Sequence, residues 1–415
     1  MVKKYIHDSR KSVFFFCVIF MLYSLIYMTK NCYSAAMASI VAEGIMTKSQ
    51  TGTIAAAFYL FYAPFQIIGG LAADRFSPQK LFLFGTIGAA VCNFLVYFFS
   101  GNYVAMLIIW SINAIVQFGV YPSVFKIAAA ELHPEHRARA VFFIAFPTTV
   151  GLTFSYICSA FVSDWKNNFL ISGIVLAVSA VVFVFSYRYV KPSMVVSEVQ
   201  TPLQPQKTSP TAKDLLRIII KAGIPLLLIV KTISSALDLG VKVLVPVMLT
   251  ETYTGITPTT ANILNILLVI VAPLGNMLAG LRFWKKFSET GAITLLLAVC
   301  IPLLIVLTCV GSIPMFFIMT ALILLMITLA TCTIFFVYIS RTFERLGYSG
   351  TLSGLINCMA SLGIVFSNYV FTRLAEQFGW NFTTLVWLSV GVLSVILALC
   401  AVPLWKRFLK TLPQK

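Results

Sequence analysis

Five ionisable side chains, Lys30, Lys126, Lys231, Asp238 and Lys242, stand inside otherwise apolar stretches long enough to cross a bilayer. An ionised group at bilayer depth costs several kcal/mol unless it meets water, a ligand or a partner, so such residues mark functional sites by default. The chemistry they offer is electrostatic recognition of a charged solute. Lys231, Asp238 and Lys242 are spaced by seven and four residues, which at about 100° per helical residue puts Asp238 and Lys242 within about 20° of Lys231. Asp238 can pair with Lys242 one turn on, lowering the cost of burying both. Such a pair reads either as purely structural or as part of a site, and Lys231 is then a surplus cation. Lys30 lies too deep in the first stretch to snorkel easily, so it must face water, an anionic solute or Asp238. Lys126 is near the end of its stretch and fits a structural partnership with Glu131 or lipid headgroups as well as a functional role. Tyr27, Asn31, Tyr62, Gln66 and Gln117 could complete a polar binding site, or equally form hydrogen bonds between helices.

Catalysis finds little support among the residue types. The three histidines, His7, His133 and His136, lie outside the apolar stretches, and no set of nucleophile, base and orienting group appears within them. The nine cysteines all fall in apolar stretches without C-x-x-C spacing, which reads as small buried hydrophobes. No cofactor, metal site or disulfide is expected.

The elements that must position these side chains follow from composition. The chain has 415 residues, 60% hydrophobic and 10% charged, with a mean hydropathy of +0.95, far too apolar for a soluble globule. Stretches of about 20 apolar residues make one helical span. Twelve are expected, at 13–38, 52–72, 80–99, 103–130, 140–162, 168–189, 219–249, 258–281, 290–310, 314–340, 349–372 and 380–405. The net charge of +17 is distributed by topology and does not imply a nucleic-acid partner. Apart from the four intramembrane lysines and Lys48, Lys166 and Arg373, the cations fall at the termini and in the even-numbered connections, which predicts that both termini are cytoplasmic. The basic start Lys3, Lys4, Arg10 and Lys11 before an apolar run faintly resembles a signal peptide, but the downstream spans favour an uncleaved first helix.

Residues 191–217 are polar and proline-bearing, with Pro192, Pro202, Pro205 and Pro210, and read as a cytoplasmic linker. It separates an N-terminal six-helix bundle (1–190) from a C-terminal one (218–415). The fold class expected is therefore an all-α membrane protein whose two bundles are related by an axis along the membrane normal, with substrate at the midplane. Pro64, Pro122, Pro147, Gly151, Pro246 and Pro273 supply bends for rocking or close packing.

The connection after the second span reads Gly70-Leu71-Ala72-Ala73-Asp74-Arg75-Phe76-Ser77-Pro78-Gln79-Lys80 and resembles the G-x-x-x-D-R-x-x-x-[KR] loop of the major facilitator superfamily. Its D-R-x-x-P-x-[KR] form is similar to that of the organophosphate:phosphate antiporter family and its relatives. Tyr27-x-x-Lys30-x-x-x-Ser34-x-Ala36-Met37, Tyr62, Tyr121-Pro122-x-x-x-Lys126, Gly350-Thr351-x-Ser353-Gly354 and Phe378-Gly379-Trp380 extend the likeness over most of the chain. The resemblance implies that Gly70, Asp74 and Arg75 tune gating. It also implies a cation from helix 1 and another from helix 7 gripping the substrate. Lys30 matches the first position, as lysine where the family has arginine, but Asp238 stands at the second and Gln66 at the helix 2 lysine. Lysine offers a point charge where arginine grips phosphate bidentately, so the departures argue against a doubly charged phosphate ester. A secondary active transporter for a small organic anion or zwitterion is expected. A proton or a counter-transported anion would be its coupling partner, and the protein would be a monomer in a bacterial inner membrane. The alternatives are a sugar-phosphate antiporter and a transporter-like membrane sensor without flux.

Overall fold

The computed structural model describes residues 4–144, 146–196, 212–343 and 349–411. Its elements, in chain order, are strand β1 (Lys4–Ile6) and helices α1 (Ser9–Ala42), α2 (Lys48–Arg75), α3 (Pro78–Phe98), α4 (Tyr103–Val116), α5 (Val120–Lys126), α6 (Pro134–Phe143), α7 (Phe146–Phe161) and α8 (Asn167–Val190). Then come strand β2 (Met194–Val196) and helices α9 (Ala212–Lys221), α10 (Ile224–Ser235), α11 (Val241–Thr252), α12 (Pro258–Leu278), α13 (Glu289–Leu307), α14 (Met315–Thr342), α15 (Ser349–Phe366) and α16 (Thr372–Thr411). Among the described residues, nine stretches are long and apolar enough to cross a membrane. The eleventh and twelfth expected spans run together in one of these, Gly354–Thr411, across a kink where Gly379 has φ 78°.

The contacts divide the chain into two units. One comprises Met1–Met46, Thr53–Pro205 and Pro258–Ile266, the other Thr47–Gly52, Gln206–Thr257 and Leu267–Lys415. In the first, α1 packs on α7 and α8, and α3 on α8 and α4; in the second, α10 packs on α15 and α16, and α13 on α16 and α14. The same packing order occurs in both, as expected of an internal repeat.

Several boundaries differ from the hydropathy reading. α1 starts at Ser9 because the Asp8 carboxylate accepts from the backbone N–H groups of Arg10 and Lys11 and caps the helix. The stretch 103–130 is broken by a 3-10 turn at Gln117–Gly119 and ends in a π turn at Ile127–Glu131. The stretch read as 219–249 is also divided. Gly223, at φ 73°, ends α9 before α10 begins at Ile224, and a π turn at Ala236–Gly240 separates α10 from α11. Within the linker, Met194–Val196 pairs antiparallel with Lys4–Ile6, and Ile6 is fully buried. A short apolar run there finds a strand partner that hydropathy averaging over a polar linker conceals.

Candidate functional site

In the first unit Lys30 on α1 is buried, at 8% exposure. Its Nζ lies 3.5 Å from the centroid of the Tyr62 ring, 5.2 Å from Tyr27, 5.4 Å from Phe58 and 5.6 Å from Tyr59. Tyr27 sits one turn earlier on α1, and the other three rings come from one stretch of α2. An ammonium over aromatic faces is attracted by the ring quadrupoles, by about 2 kcal/mol when desolvated. Lys30 makes no ion pair among the described residues. None of these rings supplies a negative charge to cancel an ammonium at this position.

The neighbouring polar residues are partly committed. Asn31 donates its Nδ2 to the Tyr27 carbonyl oxygen at 2.7 Å, Gln66 shares a side-chain hydrogen bond with Tyr62, and Gln117 donates Nε2 to Asn113 Oδ1 at 2.8 Å. Gln66 and Tyr62 therefore belong to the surroundings of Lys30, whereas Gln117 sits in its own buried amide pair at the 3-10 turn. Lys126 interacts electrostatically with Glu131, whose Oε2 accepts from Gln79 Nε2 at 2.5 Å. This is the structural partnership that the sequence left open beside a functional one.

In the second unit Lys242 Nζ bonds Asp238 Oδ1 at 2.5 Å as an i,i+4 pair. Lys231 makes no direct bond to this pair but interacts electrostatically with both of its members. Its Nζ donates to Thr333 Oγ1 at 3.2 Å and lies 5.4 Å from the Phe336 ring centroid. The π turn at Ala236–Gly240 lies between Lys231 and Lys242 along the chain. That turn packs against a second π turn at Ser367–Phe371. A Cβ on Gly240 would come within 2.2 Å of Ser367 Cβ, so only glycine permits the approach.

The side chains of Asp74 and Arg75, with Gly70, Gly350, Thr351 and Ser353, lie outside the described residues. The sequence reading missed Phe58 and Tyr59, for which the aromatic cluster Phe58-Tyr59-x-x-Tyr62 was an available signal. It also missed a polar network within the second unit. Lys48 Nζ bonds Glu251 Oε2 at 2.9 Å, the same oxygen accepts from Trp380 Nε1 at 2.7 Å, and Glu376 Oε2 accepts from the Ser49 N–H at 2.6 Å. Asn262 of α12 correspondingly donates to the Ala35 carbonyl and to Ser159 Oγ inside the first unit, at 3.0 and 3.2 Å. Among the described residues, no three His, Cys, Asp or Glu side chains gather as a metal site would require.

Residues 19–368 match the family model for the Major Facilitator Superfamily. The chain is 34% identical over 95 residues to the membrane sensor protein UhpC of Salmonella typhimurium, covering 23% of this chain and 21% of that protein. It is 29% identical over 106 residues to the probable sulfoacetate transporter SauU of Cupriavidus necator, covering 26% and 24% respectively. The matches thus span about a quarter of the length of these curated relatives. A bacterial homolog of the human lysosomal transporter Spinster, in an inward-facing and unoccupied conformation, superposes with a TM-score of 0.76 at 16% identity, covering 98% of each chain. That likeness shows the fold alone.

Proposed function

The chain belongs to the Major Facilitator Superfamily, and we propose that it works as a secondary active carrier moving a small organic anion or zwitterion by alternating access. One observation carries this reading: Lys30 is buried, faces four aromatic rings and has no carboxylate partner among the described residues. A cation held this way retains its capacity for an anion. The anionic group of the substrate binds Lys30, with Tyr27, Tyr62 and Gln66 beside it, and lysine's single point charge suits a carboxylate or sulfonate. Asp238 keeps an 18% exposed side chain while paired to Lys242, which leaves it able to accept a further hydrogen bond within the second unit. The name of the Cupriavidus necator relative, a probable sulfoacetate transporter, supports an organic anion. The carrier works as a monomer in a bacterial inner membrane with both termini cytoplasmic, coupled to a proton or to a counter-transported anion.

A second reading, a sensor that binds the same solute without moving it, is favoured by the likeness to a protein named as a membrane sensor. Uptake and counterflow in proteoliposomes, with a panel of sugar phosphates, sugar acids, monocarboxylates and amino acids, separate the two. Saturable flux of a monoanion or zwitterion that Lys30→Ala abolishes supports the carrier. Efficient exchange of phosphate esters restores the sugar-phosphate antiporter. Binding without flux of any compound establishes the sensor.

A further inference from the structure

Lys213, Arg217 and Lys221 recur every four residues, and between them stand Leu215, Leu216, Ile218, Ile219 and Ile220. At about 100° per helical residue the three cations occupy about 80° of one face, and the aliphatic residues take the rest of the circumference. The structure forms α9 over these residues, Ala212–Lys221, beginning inside the stretch read as linker. Arg217 and Lys221 are exposed and Ile218 and Ile219 half-buried, whereas Ile220 is 57% exposed. A helix of 10 residues is too short to be stable alone in water, so α9 depends on the surfaces it lies against. α10 and α16 supply part of that support. A short amphipathic helix with a basic face is the kind that lies in the plane of a membrane interface.

The neighbouring elements add to the basic face. Gly223, at φ 73°, turns the chain from α9 into α10, and a Cβ there would come within 3.0 Å of Leu404 Cβ. The joint therefore rests on α16 just before Lys406, Arg407 and Lys410, all exposed. Between these stands Trp405, which is fully buried. Its ring stacks on Phe343, after the end of α14, at 6.3 Å, and its Nε1 donates to Glu289 Oε2 at the start of α13 at 2.9 Å. That carboxylate thus spends an oxygen on an indole.

The turn before α13 carries Arg282, Lys285 and Lys286, exposed beside the exposed rings of Phe283 and Phe287, and Trp284 Nε1 donates to the Leu278 carbonyl at 2.9 Å. Cations set among aromatic rings are the composition of a membrane–water boundary. Among the described residues, none of the cations of α9, of this turn or of the end of α16 forms an ion pair. This end of the second unit is therefore strongly positive, with an exposed isoleucine on the shoulder of its basic helix. A soluble anion would answer the charge and leave Ile220 facing water. A surface that carries phosphates above and hydrocarbon below answers both.

We propose that α9 is an anionic-lipid anchor: it lies in the membrane interface with Ile220 in the acyl boundary, while Arg217 and Lys221, together with Lys406, Arg407 and Lys410 of α16, hold the phosphates of anionic phospholipids. The anchor is independent of which solute is carried.

The test is amide hydrogen exchange of the full-length protein in nanodiscs of phosphatidylcholine with and without phosphatidylglycerol, followed in peptides covering residues 212–222, with α13 peptides as the internal reference. A cation at an anionic surface contributes about fivefold to binding, so Arg217 and Lys221 together should raise protection of α9 by about twentyfold when phosphatidylglycerol is present. The gain should shrink at high salt, because screening shortens the reach of the charges. A protein carrying Arg217→Gln and Lys221→Gln should lose the gain, and one carrying Arg188→Gln and Lys191→Gln in the first unit, with the same change of charge, should keep it. Equal protection in both lipids overturns the anchor, as does a gain that survives in the α9 double variant or is lost equally in the first-unit control. Inorganic phosphate added to phosphatidylcholine nanodiscs should leave α9 unprotected, and protection by free phosphate overturns the role of the lipid. If the α9 double variant does not fold, Ile220→Ser decides: it should lower protection in phosphatidylglycerol, and an unchanged value overturns the proposal.

Discussion

Lys30 in the first unit and Lys242 in the second are buried to nearly the same degree, at 8% and 5% exposure, yet they meet the problem of burial in opposite ways. Lys242 is answered by a carboxylate four residues away, and the pair is close to neutral. Lys30 is answered by four ring faces, which stabilise the ammonium while leaving its net charge intact. The difference teaches that buried cations cannot be counted as equivalent: rings bring no counter-charge to an ammonium, and a carboxylate does. Lys231 is intermediate, with one neutral hydroxyl and one ring.

The comparison can be broken most severely on the paired side. Asp238→Asn leaves the Lys242 ammonium buried without its counter-charge and should destabilise the protein by about 3 kcal/mol, measured as a fall in the unfolding midpoint of the purified protein. Adding Lys242→Met to that variant should recover most of the loss, because a neutral side chain needs no partner. On the unpaired side the effect should appear in function first. Lys30→Ala is expected to lower uptake about a hundredfold, the order expected for a charge that pairs directly with its ligand, while the unfolding midpoint changes little. If Lys30→Ala unfolds the protein and Asp238→Asn silences uptake without destabilising it, the assignment of roles is reversed.

Smaller changes sharpen the contrast. Tyr62→Leu removes the nearest ring face and should weaken substrate affinity about tenfold, in line with a desolvated cation–π contact, whereas Tyr62→Phe should retain most of it because the face remains. Tracer uptake at varied substrate concentration measures both. Thr333→Val takes one neutral hydrogen bond from Lys231 and should change affinity by about fivefold or less, since a single such bond contributes about 1 kcal/mol net. An effect as large as that of Lys30→Ala would make Lys231 the principal anion contact.

Much of this architecture was legible in the chain. The apolar stretches, the basic connections between them and the Gly70 to Lys80 loop pointed to a facilitator fold, because a bilayer demands long apolar helices and punishes misplaced charge. Lys30 was legible as a charge in an apolar stretch, Tyr27, Tyr62 and Gln66 as polar residues matched by the family resemblance, and the Asp238–Lys242 pair from an i,i+4 spacing. Phe58 and Tyr59 were not, since hydropathy treats every apolar ring alike and does not report which face of α2 turns toward Lys30. The π turn at Ala236–Gly240 was not legible either, because it leaves no mark in the apolar pattern. The strand at Met194–Val196 was hidden for a different reason: its partner lies at Lys4–Ile6, at the far end of the first unit's sequence.

The sequence by itself determined the class of protein, its internal repeat and the unusual charges, for these depend on composition and on spacings within single helices. Tertiary structure alone decided which charges are cancelled and which are kept. That outcome depends on contacts within a few ångströms between residues far apart in the chain, and the local turns at Gln117–Gly119, Ala236–Gly240 and Ser367–Phe371 that help to set them are stabilised by packing more than by local propensity.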